Sequence, residues 1–344
     1  MRFFLLPLFC LLPSLMLAAC DASDHNQPFA TYLARLERTL DRPATQPHLA
    51  VSTPRRPRTG QLRIAVPADD LDVLDFMDLR GCTLQETIGK RNSVLGRHAR
   101  DSQRLLLELE FLRRAPACIE MLRRDGDNAL AEQLTRNMAT KHEQLPARIF
   151  NATLGNDEYA RFWRPATLSR QYPDSTSSAP VAALASVNAL ASRWLAGDYA
   201  ADNREFELLL YDLSIGDGGT LWLALDQQAA WLDAANSVLA TYAANGPMCR
   251  GQIRPEAADI LPAVVKRFFI QDIQPRAAKL GQRYHQLLPP VQALETLLED
   301  ALPDNYRSWQ RRRDQDLENY RDAPRFHVRQ LQTLLGSCGG INGN

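Results

Sequence analysis

Apolar residues recur along most of this chain at intervals of three and four, the spacing of one face of an α-helix, and not in the strict alternation of a half-buried strand. "NQPFATYLARLERTLD" puts Phe29, Leu33, Leu36 and Leu40 on one face with Pro28 near the start, which predicts a helix there. "ADDLDVLDFMDL" offers Asp69 or Asp70 as a cap and Leu71, Leu74 and Met77 as a stripe. The most organised stretch is 82–124, where Leu84, Ile88 and Leu95 mark a short helix ending near Gly96. Leu105, Leu109, Leu112, Ile119 and Leu122 then mark a longer one, opened by Asp101 or Ser102. Two further helices are predicted over 128–142 and around 157–163.

The second half repeats the pattern. "VAALASVNALASRWLAG" is an alanine-rich helix ending at Gly197, "SIGDGG" (214–219) is a tight turn, and Trp222, Leu225, Leu232, Leu239 and Tyr242 form the stripe of a long helix stopped by Gly246 and Pro247. Pro255, Pro275, Pro289 and Pro303 each fall where a helix start tolerates a missing N–H, so they predict consecutive helices of about 12 to 18 residues, the last being "PRFHVRQLQTLLGSC". No alternating run is long enough for a sheet. The expected fold class is all-α, a multi-helix up-and-down bundle-like assembly.

Two segments break the helical pattern. Residues 43–67 contain five prolines and predict an extended strap. Its Arg55, Arg56, Arg58 and Arg63 are expected to be solvated, contact with an anionic headgroup or polymer being the alternative. "YPDSTSSAP" (172–180) is the best linker candidate, so a single helical domain is expected over 28–338, divisible into halves 28–172 and 180–338, with a flexible tail at 339–344.

The N-terminus says where such a domain belongs. Arg2, an apolar stretch from Phe3 to Leu17, and Leu17-Ala18-Ala19-Cys20 resemble the signal of a bacterial lipoprotein precursor. Residues 1–19 are then a signal peptide and 20–27 a lipidated N-terminus, held to membrane lipid through acylated Cys20. A membrane-spanning helix fits less well, because Phe3 to Cys20 contains Pro7 and Pro13 and is shorter than the roughly 20 apolar residues a span needs. The expected location is the cell envelope, facing the periplasm, and Asp21 favours the inner membrane.

That location changes the meaning of the cysteines. With Cys10 removed and Cys20 acylated, Cys82, Cys118, Cys249 and Cys338 remain in an oxidising compartment. Three connectivities exist; Cys82 with Cys118 and Cys249 with Cys338 is preferred because each pair lies on one side of the candidate linker. Antiparallel helices joined near Gly96 would also bring Cys82 opposite Cys118. Buried thiols are the alternative.

Charge adds little: 40 basic and 40 acidic residues balance, which disfavours nucleic acid as a partner. The six histidines are scattered, and neither an HExxH, a GxSxG nor a phosphate loop occurs, so neither a metal site nor a cofactor is expected. One stretch is dense in polar groups: Glu86, Lys90, Arg91, Asn92, Ser93, His98, Arg104 and Glu108. Its functional reading is an anion or glycan pocket with Arg91, Asn92 and Arg104 as donors; its plainer reading is a capping and salt-bridge network. "RSWQRRRDQDLENYRD" (307–322) is expected to make i,i+4 pairs on a wet helix face.

The cysteine-led "CTLQETIGKRNSVLGRHARDSQRLLLELEFL", with "DVLDFMDL" before it, "CIEML" after it and the lipid-attachment signal in front, resembles the DUF3080 family of proteobacterial lipoproteins. The resemblance implies one unit over nearly all of the mature chain and brings neither an activity nor a cofactor. Two functions are therefore carried forward. The first is a non-enzymatic binding or scaffolding module for an envelope protein or polymer. The second is an envelope hydrolase or lyase acting on glycan or peptidoglycan through carboxylates near Glu86 and Glu108, which would need a pair of them in a cleft.

Overall fold

A computed structural model describes residues 25–50, 52–67, 79 and 81–339. Cys20 and the predicted 69–77 helix lie outside the described residues. Helix α1 (Gln27–Leu40) begins where Pro28 predicts, buries Phe29, Tyr32, Leu33, Leu36 and Leu40, and ends in a left-handed residue, Asp41. The strap that follows is extended, as expected from its prolines, with one correction: Thr59–Leu62 forms a single helical turn, α2, in a proline-free window between Pro57 and Pro67.

Helices α3 (Leu84–Asn92) and α4 (Val94–Arg97) turn into α5 (Asp101–Arg124), which packs antiparallel against α6 (Asn128–Ala152). Cys82 is bonded to Cys118 across α3 and α5, and Cys249 to Cys338, the preferred pairing in both cases. Asp101 and Ser102 do not cap α5; Asp101 pairs with Arg63 at 2.9 Å and Ser102 donates to Glu207 at 2.6 Å, so both side chains brace the helix start from outside. The short α7 (Asp157–Phe162) follows, then α8 (Ala179–Leu195), α9 (Asn203–Ser214) and α10 (Gly218–Ala243).

The C-terminal third departs from the proline-based expectation. Helix α11 (Glu256–Val264) runs on into a π-helix (Val265–Ile273) and α12 (Gln274–Leu297), and α13 spans Asp304–Gly336. Pro262, Pro289, Pro290 and Pro324 sit inside helices and do not start them. A proline removes one helical hydrogen bond and crowds the carbonyl one turn back. Here burial offsets that cost: Leu287, Leu288, Val291 and Leu294 surround the proline pair, and Asn188 donates to the Pro290 carbonyl at 2.8 Å.

One core joins Leu105 and Leu109 of α5, Ile149 of α6, Trp194 of α8, Trp222 of α10, Leu287 of α12 and Trp309 of α13. It crosses the expected linker, which therefore does not separate two cores: Tyr172 is buried and bonds Asp217 at 2.8 Å, and Arg283 reaches the Ser177 carbonyl at 2.9 Å. A second cluster packs α1 on α10, α11 and the end of α13, and a third surrounds the Cys82–Cys118 bond. Among the described residues there is no strand, and no helix is long and apolar enough to cross a membrane.

Candidate anion-binding groove

The strap does more than connect. Pro54 and Pro57 hold it extended across the surface, and between it and the α7 end lies a groove of about 720 Å3. Arg55, Arg56 and Arg58 line it from the strap; Asp157, Trp163 and Arg164 line it from the other side. Arg56 is anchored: it donates to the Pro57 carbonyl at 3.3 Å and to the Leu154 carbonyl, and its guanidinium stacks 5.5 Å from the Tyr159 ring centre. Burial, partly offset by the charges of its neighbours, lowers its pKa.

Arg55, Arg58 and Arg164 are exposed, and no groove arginine is in an ion pair among the described residues. The one carboxylate on the wall, Asp157, accepts from the Thr59 hydroxyl at 2.5 Å. Neighbouring Glu158 is neutralised by Arg100 and Arg161, each at 3.0 Å. The groove is thus a local excess of positive charge on a protein with no net charge. A guanidinium is charged at every working pH and presents a planar fork of N–H groups matched to phosphate and carboxylate oxygens.

A rigid floor lies beneath. The Arg313 guanidinium is held between the rings of Trp163 and Trp309, 5.1 Å from each, and makes a bidentate pair with Glu295. Tyr306 donates to the same carboxylate at 2.6 Å and Gln310 at 3.0 Å. Burial and then the Glu295 charge raise the pKa values of Tyr159 and Tyr306, so both hydroxyls stay protonated as donors. This corrects the expectation of a uniformly wet face over 307–322. The signal was in the spacing: Trp309, Arg313 and Leu317 are four residues apart and share one helix face, and all three are buried.

The residues singled out from sequence are not gathered around one cavity. Glu86 is exposed and pairs with Arg114 at 3.2 Å; Asn92 is exposed at the end of α3. Arg104 donates to the carbonyls of Ala99 and Arg97, at 3.0 and 2.6 Å. Glu108 is buried against Lys141, with Arg148 at 3.7 Å and Arg91 at 4.0 Å. Glu86, Arg104 and Glu108 brace neighbouring segments. The carboxylates of the hydrolase alternative are therefore engaged, Glu86 at the surface and Glu108 in the interior. A cavity of about 530 Å3 at this corner is lined by Lys90, Ser93, Leu95, Leu106 and Tyr199; of the polar residues singled out, Lys90 and Ser93 line it and Glu86, Arg91, Asn92, Arg104 and Glu108 do not. No cluster of His, Cys, Asp or Glu among the described residues is arranged to hold a metal ion.

From the sequence the strap arginines are expected to be solvated, with an anionic contact as the alternative; Arg164, more than 100 residues away in the chain, could not be placed beside them. Only the fold brings them together.

A family model described as protein of unknown function, DUF3080, matches residues 29–341, and the chain belongs to that family. Neither a curated protein nor a solved structure matches it.

Proposed function

We propose that this DUF3080 protein is a lipid-anchored lipoprotein of the cell envelope whose helical body serves as a non-enzymatic binding module for an anionic partner. The observation that carries the reading is the groove: four arginines, without ion pairs among the described residues, face one hydrogen-bonded aspartate on a braced aromatic floor. The anchor rests on the 17–20 signal, with the periplasmic face of the inner membrane favoured by Asp21. Two disulfides accord with an oxidising compartment. One acyl chain binds a membrane only marginally, so firm anchoring needs Cys20 to carry more than one.

Two measurements test this. The intact mass of protein purified from membranes without reductant should equal residues 20–344 plus acyl-glycerol, less the hydrogens lost in two disulfides. An unmodified full-length mass with free thiols would sink the anchor. For binding, arginine modification followed peptide by peptide should be slowed at Arg55, Arg58 and Arg164 by soluble polyphosphate; equal rates with and without it would sink the anion site.

A further inference from the structure

The two walls of the groove end at the same place. On one side, Gln227 of α10 accepts from the Asn26 side-chain amide at 3.1 Å and donates to the Ala50 carbonyl at 2.9 Å. One side-chain amide therefore holds the strap, just before its arginines, beside the start of α1. On the other side the chain leaves Arg164 and Pro165 and reaches Ser169, whose carbonyl lies 3.1 Å from Nδ1 of His25. Arg276 contacts the same imidazole. Both rims thus run to the first described residues, and from Cys20 to His25 there are five residues, a reach of at most about 18 Å.

We infer that the occupant of the groove is the phosphate of an anionic phospholipid in the leaflet that holds acylated Cys20, so that the body lies strap-down on the bilayer. This rests on the lipoprotein reading and names the partner of its binding site. Two arguments choose the lipid. The first is reach: an anchor this close to both rims keeps the groove at headgroup depth, where lipid phosphate is the most abundant anion. The second is charge complementarity: basic side chains at a membrane surface add attraction only within about a Debye length, roughly 8 Å in physiological salt. The four arginines are grouped in one groove of a protein with no net charge, and the strap that carries three of them enters it two residues after Ala50. Arg55, Arg58 and Arg164 supply the free forks, and Arg56, fixed on Tyr159, supplies a positioned one.

The test uses the acylated protein in vesicles of phosphatidylcholine, with or without phosphatidylglycerol, under phenylglyoxal modification read by mass spectrometry. Arg55, Arg58 and Arg164 should react about fivefold more slowly when phosphatidylglycerol is present, an effect abolished by high salt, while the exposed Arg311 and Arg312 of α13 react equally in both. Equal rates at the groove in both vesicles overturn the proposal. Slowing by polyphosphate over phosphatidylcholine, without slowing by phosphatidylglycerol, overturns the lipid and leaves the anion site standing. A double variant, Arg55→Gln with Arg58→Gln, changes only exposed side chains and should return Arg164 to its rate over phosphatidylcholine. Undiminished protection of Arg164 in that variant would count against a shared site. A protein that leaves the vesicles altogether and lacks acyl mass marks failure of the anchor and not of the groove.

Discussion

Arg313 and Glu295 meet through two parallel hydrogen bonds, Nη1 to Oε1 at 2.6 Å and Nη2 to Oε2 at 2.7 Å, and neither side chain is exposed to solvent. Burial alone would disfavour the guanidinium charge, but the facing carboxylate and its hydrogen bonds raise the Arg313 pKa well above its ordinary value. The pair ties α13 to α12 and, through Trp163, supports the floor of the groove.

Removing Glu295 leaves the buried Arg313 charge with only the partly exposed Asp314, at 2.7 Å, as its carboxylate partner. Glu295→Leu is expected to lower stability by about 3 to 5 kcal/mol in urea unfolding. The double variant Glu295→Leu with Arg313→Met should recover most of the loss, because hydrophobic replacement of both partners is close to neutral. A single variant within about 1 kcal/mol of the wild type would show that solvent reaches the site.

His327 makes a pH-dependent contribution. Its Nε2 lies 2.7 Å from the Tyr32 hydroxyl and its Nδ1 2.7 Å from Asn236 Oδ1, joining α13 to α1 and α10. Burial lowers its pKa from 6.5 to about 3, so the fold accepts the neutral imidazole only. The folded value lies below the unfolded one. The stabilisation is therefore complete above about pH 6.5 and lost as pH falls toward about 3. Melting temperatures of the wild type should decline over that window more steeply than those of His327→Gln. Parallel curves would remove His327 as the source.

The disulfides close loops of 36 and 89 residues. In the chain-entropy model each raises stability by about 4 to 5 kcal/mol, and measured losses on removal are commonly about 2 to 5. Replacing either pair by serine should lower the unfolding midpoint by that order, with reductant having no further effect on that bond. A midpoint unchanged in both double variants would show that the unfolded chain gains no freedom from their removal.

Two glycines separate close approach from mere flexibility. A Cβ at Gly219, in the first turn of α10, would sit 2.2 Å from the Trp163 carbonyl oxygen, a backbone atom that cannot step aside. Gly219→Ala should therefore destabilise and disturb the groove floor. Gly281, inside α12, has open space around it, and Gly281→Ala should raise stability by about 0.5 to 1 kcal/mol. Thermal melts in the same direction for both would refute the contrast. The reading of 214–219 as a plain turn missed this role, since the constraint comes from the 163–164 backbone across the fold.

Much of the helical architecture was legible because its causes are local. The stripes Phe29–Leu33–Leu36–Leu40 and Trp222–Leu225–Leu232–Leu239 emerge as the buried faces of α1 and α10, and Pro28 and Pro255 stand at helix starts. The prolines at 289 and 324 misled, because a proline's local penalty says nothing of the burial that outweighs it. The polar cluster at 86–108 had two readings, an anion pocket and a plainer salt-bridge network, and the sequence could not show what each side chain meets. Its residues were close in sequence, yet side chains on different helix faces found separate partners: Arg114, the Ala99 carbonyl and Lys141.

By itself the sequence determined an all-helical chain, the DUF3080 family and the cysteines available to pair, since helical periodicity and motif spacing are carried by neighbours along the chain. Tertiary structure alone decided which charges are buried and which are free. Arg313 and Arg311 differ by two positions in one charged run, yet one is sealed between two tryptophans and the other faces water. The groove likewise exists only because the strap crosses α7, bringing Arg56 and Arg164 together from distant parts of the chain. Burial and charge proximity are properties of packing between remote segments, and no local pattern encodes which segment will arrive.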